Sequence, residues 1–348
     1  MINTELLAEI CEVAGAPGHE QRVRELVLRE VSPLVDEIRI DNMGNVVAIK
    51  KGKEDKKVMI GAHMDEIGFI VTHIDDNGFI FFHTLGGFDP KTLTAQRVII
   101  HGSEDVMGVM GSKPIHLMNA ADRAKVPTIK DYFIDTGRCK EDLEKIISIG
   151  DTITRERELI EMGDCINCKS LDNRVSVFIL IEMFREMKKK PTYDVYGVFT
   201  VQEEIGIRGA NVSALDINPD FGFGLDTTIA FDTPGSTKKE QVSALGEGAC
   251  IKVMDSSTVC DYRMVKYMKE LAKKKKLKTQ LEILPAGGTD TAGIQRMNPG
   301  GSITGAVSIP TRHIHQVIEM VHKEDVREAI GLLRHSVENL HTYDWSFR

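Results

Sequence analysis

The sequence predicts an α/β fold interrupted by an inserted, β-rich, barrel-like domain, and three observations lead there. Short apolar runs at 58–61, 195–201 and 221–225 are each followed by a histidine or an acid: His63, the pair Glu203 and Glu204, and Asp226. Runs of this length and composition read as buried strands, and ligands of open α/β sheets bind beyond the carboxyl ends of such strands. From about Phe69 to Ile160 the texture changes to short alternating segments separated by glycines and polar turns, with few helical patterns. At 348 residues the chain exceeds a comfortable single core, so a large domain with a smaller companion is expected.

Residues 3–12 and 20–32 are predicted helices; in the second, Val23, Val27 and Val31 recur every four residues with charges between them. Asp41, Asn42, Met43 and Gly44 form a turn signal between strands at 37–40 and 45–49, a hairpin. The stretch KKGKEDKK that follows reads as a surface loop. His63 and Asp65 then sit two apart at a strand end, on one side of an extended chain, so one can bind a metal while the other orients the site.

Within the β-rich segment, strands are expected at 69–73, 78–83, 97–101, 106–110 and 132–135, with a short helix at 140–147. Its histidines His73, His83, His101 and His116 have no partner at ligand spacing and read as ordinary surface or core residues. Asp172 and Asn173 open an apolar helix of about four turns. Capping its free N–H groups is the plain role for one of them, and Asp172 can still face inward to a metal. Further on, 255–257 is expected to cap a helix running to Lys276, with a strand at 279–284. The glycine-rich PAGGTDTAG loop lacks Walker spacing and its lysine. A strand at 302–309 leads to His313 and His315, and 324–338 reads as a closing helix.

Composition narrows the function. The net charge of −8 disfavours nucleic acid or an anionic membrane as the main partner. The lysine run at 273–276 reads as the solvated side of a helix. No stretch has the apolar length to span a bilayer, and the first residues lack the basic and apolar regions of a signal peptide. Cys11, Cys139, Cys165, Cys168, Cys250 and Cys260 are scattered, which suits reduced thiols in a cytoplasm. Cys165 and Cys168 form a lone CxxC with no second ligand pair at the usual distance.

The inventory at the expected sheet edge is His63, Asp172, Glu203, Glu204, Asp226 and one of His313 and His315. Two histidines with several carboxylates suit Zn²⁺, Co²⁺ or Mn²⁺. Four carboxylates are too many for one tetrahedral zinc, but they fit two metals that share a bridging carboxylate and act together in hydrolysis. One unligated carboxylate would then serve as general base. There is no HExxH, no GxSxG elbow and no Rossmann fingerprint.

The set GAHMDEIGF, KSLDNR, VQEEIGIRGA, LDTTIAFDTPG, GGTDTAG and PTRHIH resembles the M42 family of dinuclear metallo-aminopeptidases, in the family's order and over nearly the whole chain. The resemblance implies a mixed-sheet, zinc-aminopeptidase-like catalytic domain from 1–66 and 162–348, with 67–161 inserted as a β-rich oligomerisation domain. It places His63, Asp172 and Asp226 on one metal and Asp172, Glu204 and His315 on the other, Asp172 bridging. Glu203 falls on the general base for a metal-activated water, and Asp65 on the carboxylate that orients the site. Where family members often have a tyrosine and a serine, this chain has His313 and Gln316. The implied function is removal of N-terminal residues from peptides in the cytoplasm, with two zinc, cobalt or manganese ions per subunit. Homo-oligomers from dimer to tetrahedral dodecamer are implied with it. The rival readings are a related dinuclear-metal deacylase or carboxypeptidase, the endoglucanase label some members once carried, or an inactive metal-binding scaffold. A glycosidase needs two carboxylates flanking a sugar bond rather than a histidine-rich metal set, and the intact Glu203 speaks against a scaffold.

Overall fold

The computed structural model describes residues 2–347; residues 1 and 348, the outer limits expected for the catalytic domain, lie outside the described residues. Helices α1 (Thr4–Glu12) and α2 (Gln21–Val31) precede the hairpin of β1 (Glu37–Ile40) and β2 (Val46–Lys50), and β3 (Glu54–His63) ends on the first histidine. Then come β4 (Gly68–Ile74), β5 (Ile80–Leu85), β6 (Arg97–His101), β7 (Asp105–Ser112), α3 (Ala120–Ala124), β8 (Tyr132–Asp135), α4 (Lys140–Leu143) and β9 (Thr152–Arg155). Strands β10 (Ile160–Met162) and β11 (Cys165–Cys168) lead to α5 (Leu171–Glu186), β12 (Tyr193–Thr200), α6 (Arg208–Ile217), β13 (Phe221–Ile229) and β14 (Ala249–Met254). The chain closes with α7 (Tyr262–Lys275), β15 (Thr279–Ile283), α8 (Asp290–Arg296), β16 (Ile303–Arg312), β17 (Glu319–His322) and α9 (Lys323–Asn339).

Two sheets result. The main sheet has 11 strands in the order β1-β2-β12-β3-β13-β16-β17-β11-β10, with β14 and β15 branching from β16. Strands β12, β3, β13 and β16 run parallel at its centre, while β2 and β17 pair antiparallel on either side, so the sheet is mixed. Strands β4 to β9 close into a separate six-stranded barrel with its own core of Phe69, Val71, Ile80, Val98, Ile100, Ile134 and others. Ile160 at the start of β10 already pairs within the main sheet.

Alternation along β3 explains the layers. Val58, Ile60 and Ala62 join one core with α1, α2, α5, α7 and α9, while Met59 faces Ala214, Ile217 and Ile294 of α6 and α8. Helix α5 is sandwiched so fully that Val175 to Ile181 are all buried. The bidentate pair of Arg22 on α2 with Asp105 on β7, at 2.6 and 2.8 Å, ties barrel to main body.

Several local expectations are corrected. The lysine-rich stretch after β2 is strand from Glu54 onward, because parallel pairing with β12 continues past the apolar residues; its side chains stay exposed. Asp172 and Asn173 do not cap α5: no side chain caps it, and both have non-helical backbone angles within its first turn. Helix α7 starts at Tyr262, capped by Asp261, because the Asp255 carboxylate folds 255–258 into a turn by accepting from the N–H groups of Ser257 and Thr258. Helix α4 stops at Leu143 rather than Ile147. Helices α6 and α8 and strands β9, β10, β11 and β17 have no counterpart in the sequence reading, being short or lacking clear periodicity.

Candidate metal centre

The carboxyl ends of the central parallel strands converge on one cleft of about 580 Å³. His63 is the last residue of β3, Asp226 lies in β13, Glu203 and Glu204 follow β12, and His315 follows β16. Asp172 enters from the first turn of α5. His313, the alternative to His315, does not line the cleft and is exposed.

The donor atoms are spaced in a pattern. His63 Nε2 lies 3.6 Å from Asp172 Oδ1, 3.8 Å from Glu203 Oε2 and 3.9 Å from Asp226 Oδ1. His315 Nε2 lies 3.4 Å from Asp172 Oδ2 and 3.4 Å from Glu204 Oε2. Each histidine therefore faces a different oxygen of Asp172. These gaps are long for hydrogen bonds, yet two donors each about 2.0–2.2 Å from a shared divalent ion stand this far apart. His63, Asp172 and Glu204 offer atoms all within 4.8 Å of one another, a group able to hold a metal ion.

Electrostatics reflects the crowding. Burial opposes a charge on His63, but Asp172 and Asp65 outweigh it and raise its pKa well above the usual imidazole value. His315 is likewise opposed by burial and pushed up to about 11 by Glu204 and Asp172. Glu203 and Asp226 are raised well above the ordinary carboxyl range, chiefly by burial, with His63 opposing and neighbouring carboxylates adding. So many buried carboxylates around two imidazoles need countercharge, which a divalent cation would supply.

Supporting residues hold this set in place. The His63 Nδ1 sits 3.0 Å from the Asp65 carbonyl oxygen, which turns Nε2 into the cleft. The buried Asp65 carboxylate accepts the N–H of Glu203 at 3.0 Å and of Glu204 at 3.1 Å. The two glutamates thus occupy a turn clamped by Asp65, not an extended continuation of the strand. Asn173 donates to the Leu225 carbonyl at 2.8 Å, next to Asp226.

Glu319 on β17 escaped the sequence reading. It is 1% exposed, and its two oxygens accept the N–H of Asp172 and of His315, each at 2.8 Å. Arg155, the last residue of barrel strand β9, donates to the His315 carbonyl at 3.0 Å and lies over the Phe88 ring. Glu319 has no motif around it; its position four residues after His315 was the only signal. Cys165 and Cys168 do not line the cleft, and Cys168 is buried in the main core.

The family model described as M42 glutamyl aminopeptidase matches residues 44–332. Lysyl aminopeptidase of Pyrococcus furiosus is 33% identical over 354 residues, covering 99% of this chain and 100% of that one. An aminopeptidase from the archaeon Desulfurococcus kamchatkensis superposes with a TM-score of 0.92 at 37% identity, over 96% of this chain and 94% of its own. The TET1 peptidase of Pyrococcus horikoshii, described as able to assemble into a tetrahedron or a large octahedral shell, gives 0.86 at 28% identity over 96% and 98%. The family match and the aminopeptidase relatives make this mixed sheet and closed barrel, with its acidic cleft, the framework of a peptide hydrolase. The chain belongs to the M42 glutamyl aminopeptidase family, as its motifs implied. Among the described residues no helix is long and apolar enough to cross a membrane.

Proposed function

We propose that the chain is a metal-dependent aminopeptidase that binds two divalent ions, zinc, cobalt or manganese, and removes N-terminal residues from peptides. The observation that carries this reading is the two-sided use of Asp172, one oxygen facing His63 and the other facing His315. That arrangement fits a bridging ligand, with Asp226 completing the His63 side and Glu204 the His315 side. Ions held there would polarise a carbonyl and lower the pKa of a water.

The remaining steps belong to the chain itself. The acidic cleft anchors the free α-amine of the peptide. Glu203, held by Asp65 through its backbone, takes the proton of the attacking water and delivers it to the leaving amine. Burial raises this carboxyl above the ordinary range while His63 opposes the rise, so it holds a proton more readily than an exposed glutamate does. The barrel serves as an oligomerisation domain, in keeping with the assemblies formed by the Pyrococcus horikoshii relative, and the protein works in the cytoplasm.

Hydrolysis of amino-acyl p-nitroanilides, lost on chelation and restored by added Zn²⁺, Co²⁺ or Mn²⁺, is the first test. Glu203→Gln should lose turnover by about 10²–10⁴-fold while keeping its metal. Retained peptidase activity would remove Glu203 from the base role. Asp172→Ala should lose both ions in elemental analysis, and full metal content in that variant would contradict bridging.

A further inference from the structure

With the six residues of the proposed centre set aside, the cleft wall carries charge, among the described residues, at two positions only, Lys252 and Asp255. Neither is free to meet a ligand. Lys252 is 1% exposed, with its Nζ 2.9 Å from Asp255 Oδ2 and 3.2 Å from Glu282 Oε1. Asp255 is saturated: Oδ1 accepts the N–H groups of Ser257 and Thr258, both at 2.8 Å, and Oδ2 accepts from Lys252 and from the Thr289 hydroxyl at 3.3 Å. Glu282 lies wholly buried behind Lys252 and does not line the cleft.

A lysyl or arginyl side chain entering the cleft therefore finds no unpaired carboxylate beyond the proposed centre. A glutamyl or aspartyl side chain finds no unpaired cation. Drawing Lys252 or Asp255 out of their pair would leave the other a buried charge without its partner. Beside the neutral hydroxyl residues Thr227, Thr228, Ser257 and Thr289, the wall presents aliphatic groups: Ile207, Ile229, Ile314, and Leu284 with Ala286, from four separate segments, all at least partly open to solvent. Ile229 is 41% exposed and so has apolar surface to cover. Partly exposed aliphatic groups gathered around one concavity are stabilised by an apolar occupant.

We infer that the enzyme prefers substrates whose N-terminal residue is neutral and aliphatic, of leucine or methionine type, over acidic or basic ones. The inference rests on the aminopeptidase reading above and narrows it to a substrate class. Burying a leucine-sized side chain is worth a factor of about ten or more, which sets the expected margin.

The test is a panel of leucyl, methionyl, alanyl, lysyl, arginyl, glutamyl and aspartyl p-nitroanilides with the metal-loaded full chain. Leucyl or methionyl kcat/KM at least about tenfold above every charged member supports the inference. A charged member turned over best overturns it while leaving the aminopeptidase reading standing. No release from any member by metal-loaded protein overturns both. The wall is tested separately with Leu284→Lys, at a partly exposed position outside the proposed centre. Its leucyl kcat/KM should fall about tenfold with bound metal unchanged, and competitive inhibition by free leucine should weaken in parallel. An unchanged leucyl kcat/KM in that variant overturns the assignment of this wall.

Discussion

Glu319 shows how much of a site can hang on one residue with no motif. Its carboxylate joins the backbone of Asp172 on α5 to that of His315 beyond β16, so two of the three residues expected to hold the second ion are positioned by the same group. Gln at this position keeps the shape but replaces one acceptor oxygen by a donor NH₂, leaving one of the two N–H groups without a partner. Glu319→Gln should weaken divalent-ion binding to chelator-stripped protein by about 10–100-fold, read by calorimetric titration, with the barrel and main sheet intact by circular dichroism. Unchanged affinity would reduce Glu319 to a packing residue. By contrast His63, Asp172, Glu203, Glu204, Asp226 and His315 were legible as candidates, because each lies next to a readable strand or helix start. A support that contacts only backbone leaves no such trace.

The element that carries Glu203 and Glu204 is the loop after β12. It is closed by hydrogen bonds from Ile207 N–H to the Glu203 carbonyl at 2.8 Å and from Gly209 N–H to the Val201 carbonyl at 3.0 Å. Asn45 braces it from the hairpin, accepting from Val201 N–H at 2.9 Å and donating to the Gly209 carbonyl at 3.2 Å. Gly209 is required there: a Cβ would lie 2.3 Å from Asn45 Oδ1 and 2.5 and 2.7 Å from the Val201 backbone. The Val201 backbone, held by Asn45 and Gly209 just past the end of β12, cannot swing aside as a side chain can. Gly209→Ala should therefore cost about 1–3 kcal/mol in denaturant unfolding. It should also lower turnover by displacing the glutamates. A variant as stable and active as the parent would show that the loop has room to relax. The apolar run of β12 was readable from composition, whereas this loop was not, since Asn45 is 156 residues from Val201 in the chain.

On the scale of the whole molecule, stability couples to pH through groups far from the cleft. His335 on α9 is pulled down to about 4 from 6.5, first by burial and then by Arg334 and Lys275. A folded-state value below the unfolded one means that the unfolded chain takes up its proton first as pH falls. This contribution to stability is full above about 6.5 and is lost as pH falls toward 4. His335→Asn should remove it, so the melting temperature of the variant should gain on that of the parent from pH 6.5 down to 4. Parallel curves across that window would rule the coupling out. Lys275 adds to the cost of charging His335 only because α9 packs beside the end of α7, a juxtaposition that neither helix announces by itself.

The sequence by itself determined the α/β class, the β-rich interruption, the family and the roster of candidate acids and histidines. These follow from local composition, period and motif, which are properties of neighbouring residues. Tertiary structure alone decided that Asp65 clamps both glutamates and that Glu319 ties Asp172 to His315. It also decided that Lys252 and Asp255 are paired with each other at the wall. The physical reason is the same in each case. These arrangements are made by hydrogen bonds and charge pairs between segments that meet only when parallel strands align their ends, and a linear pattern records what a residue is but not what it faces.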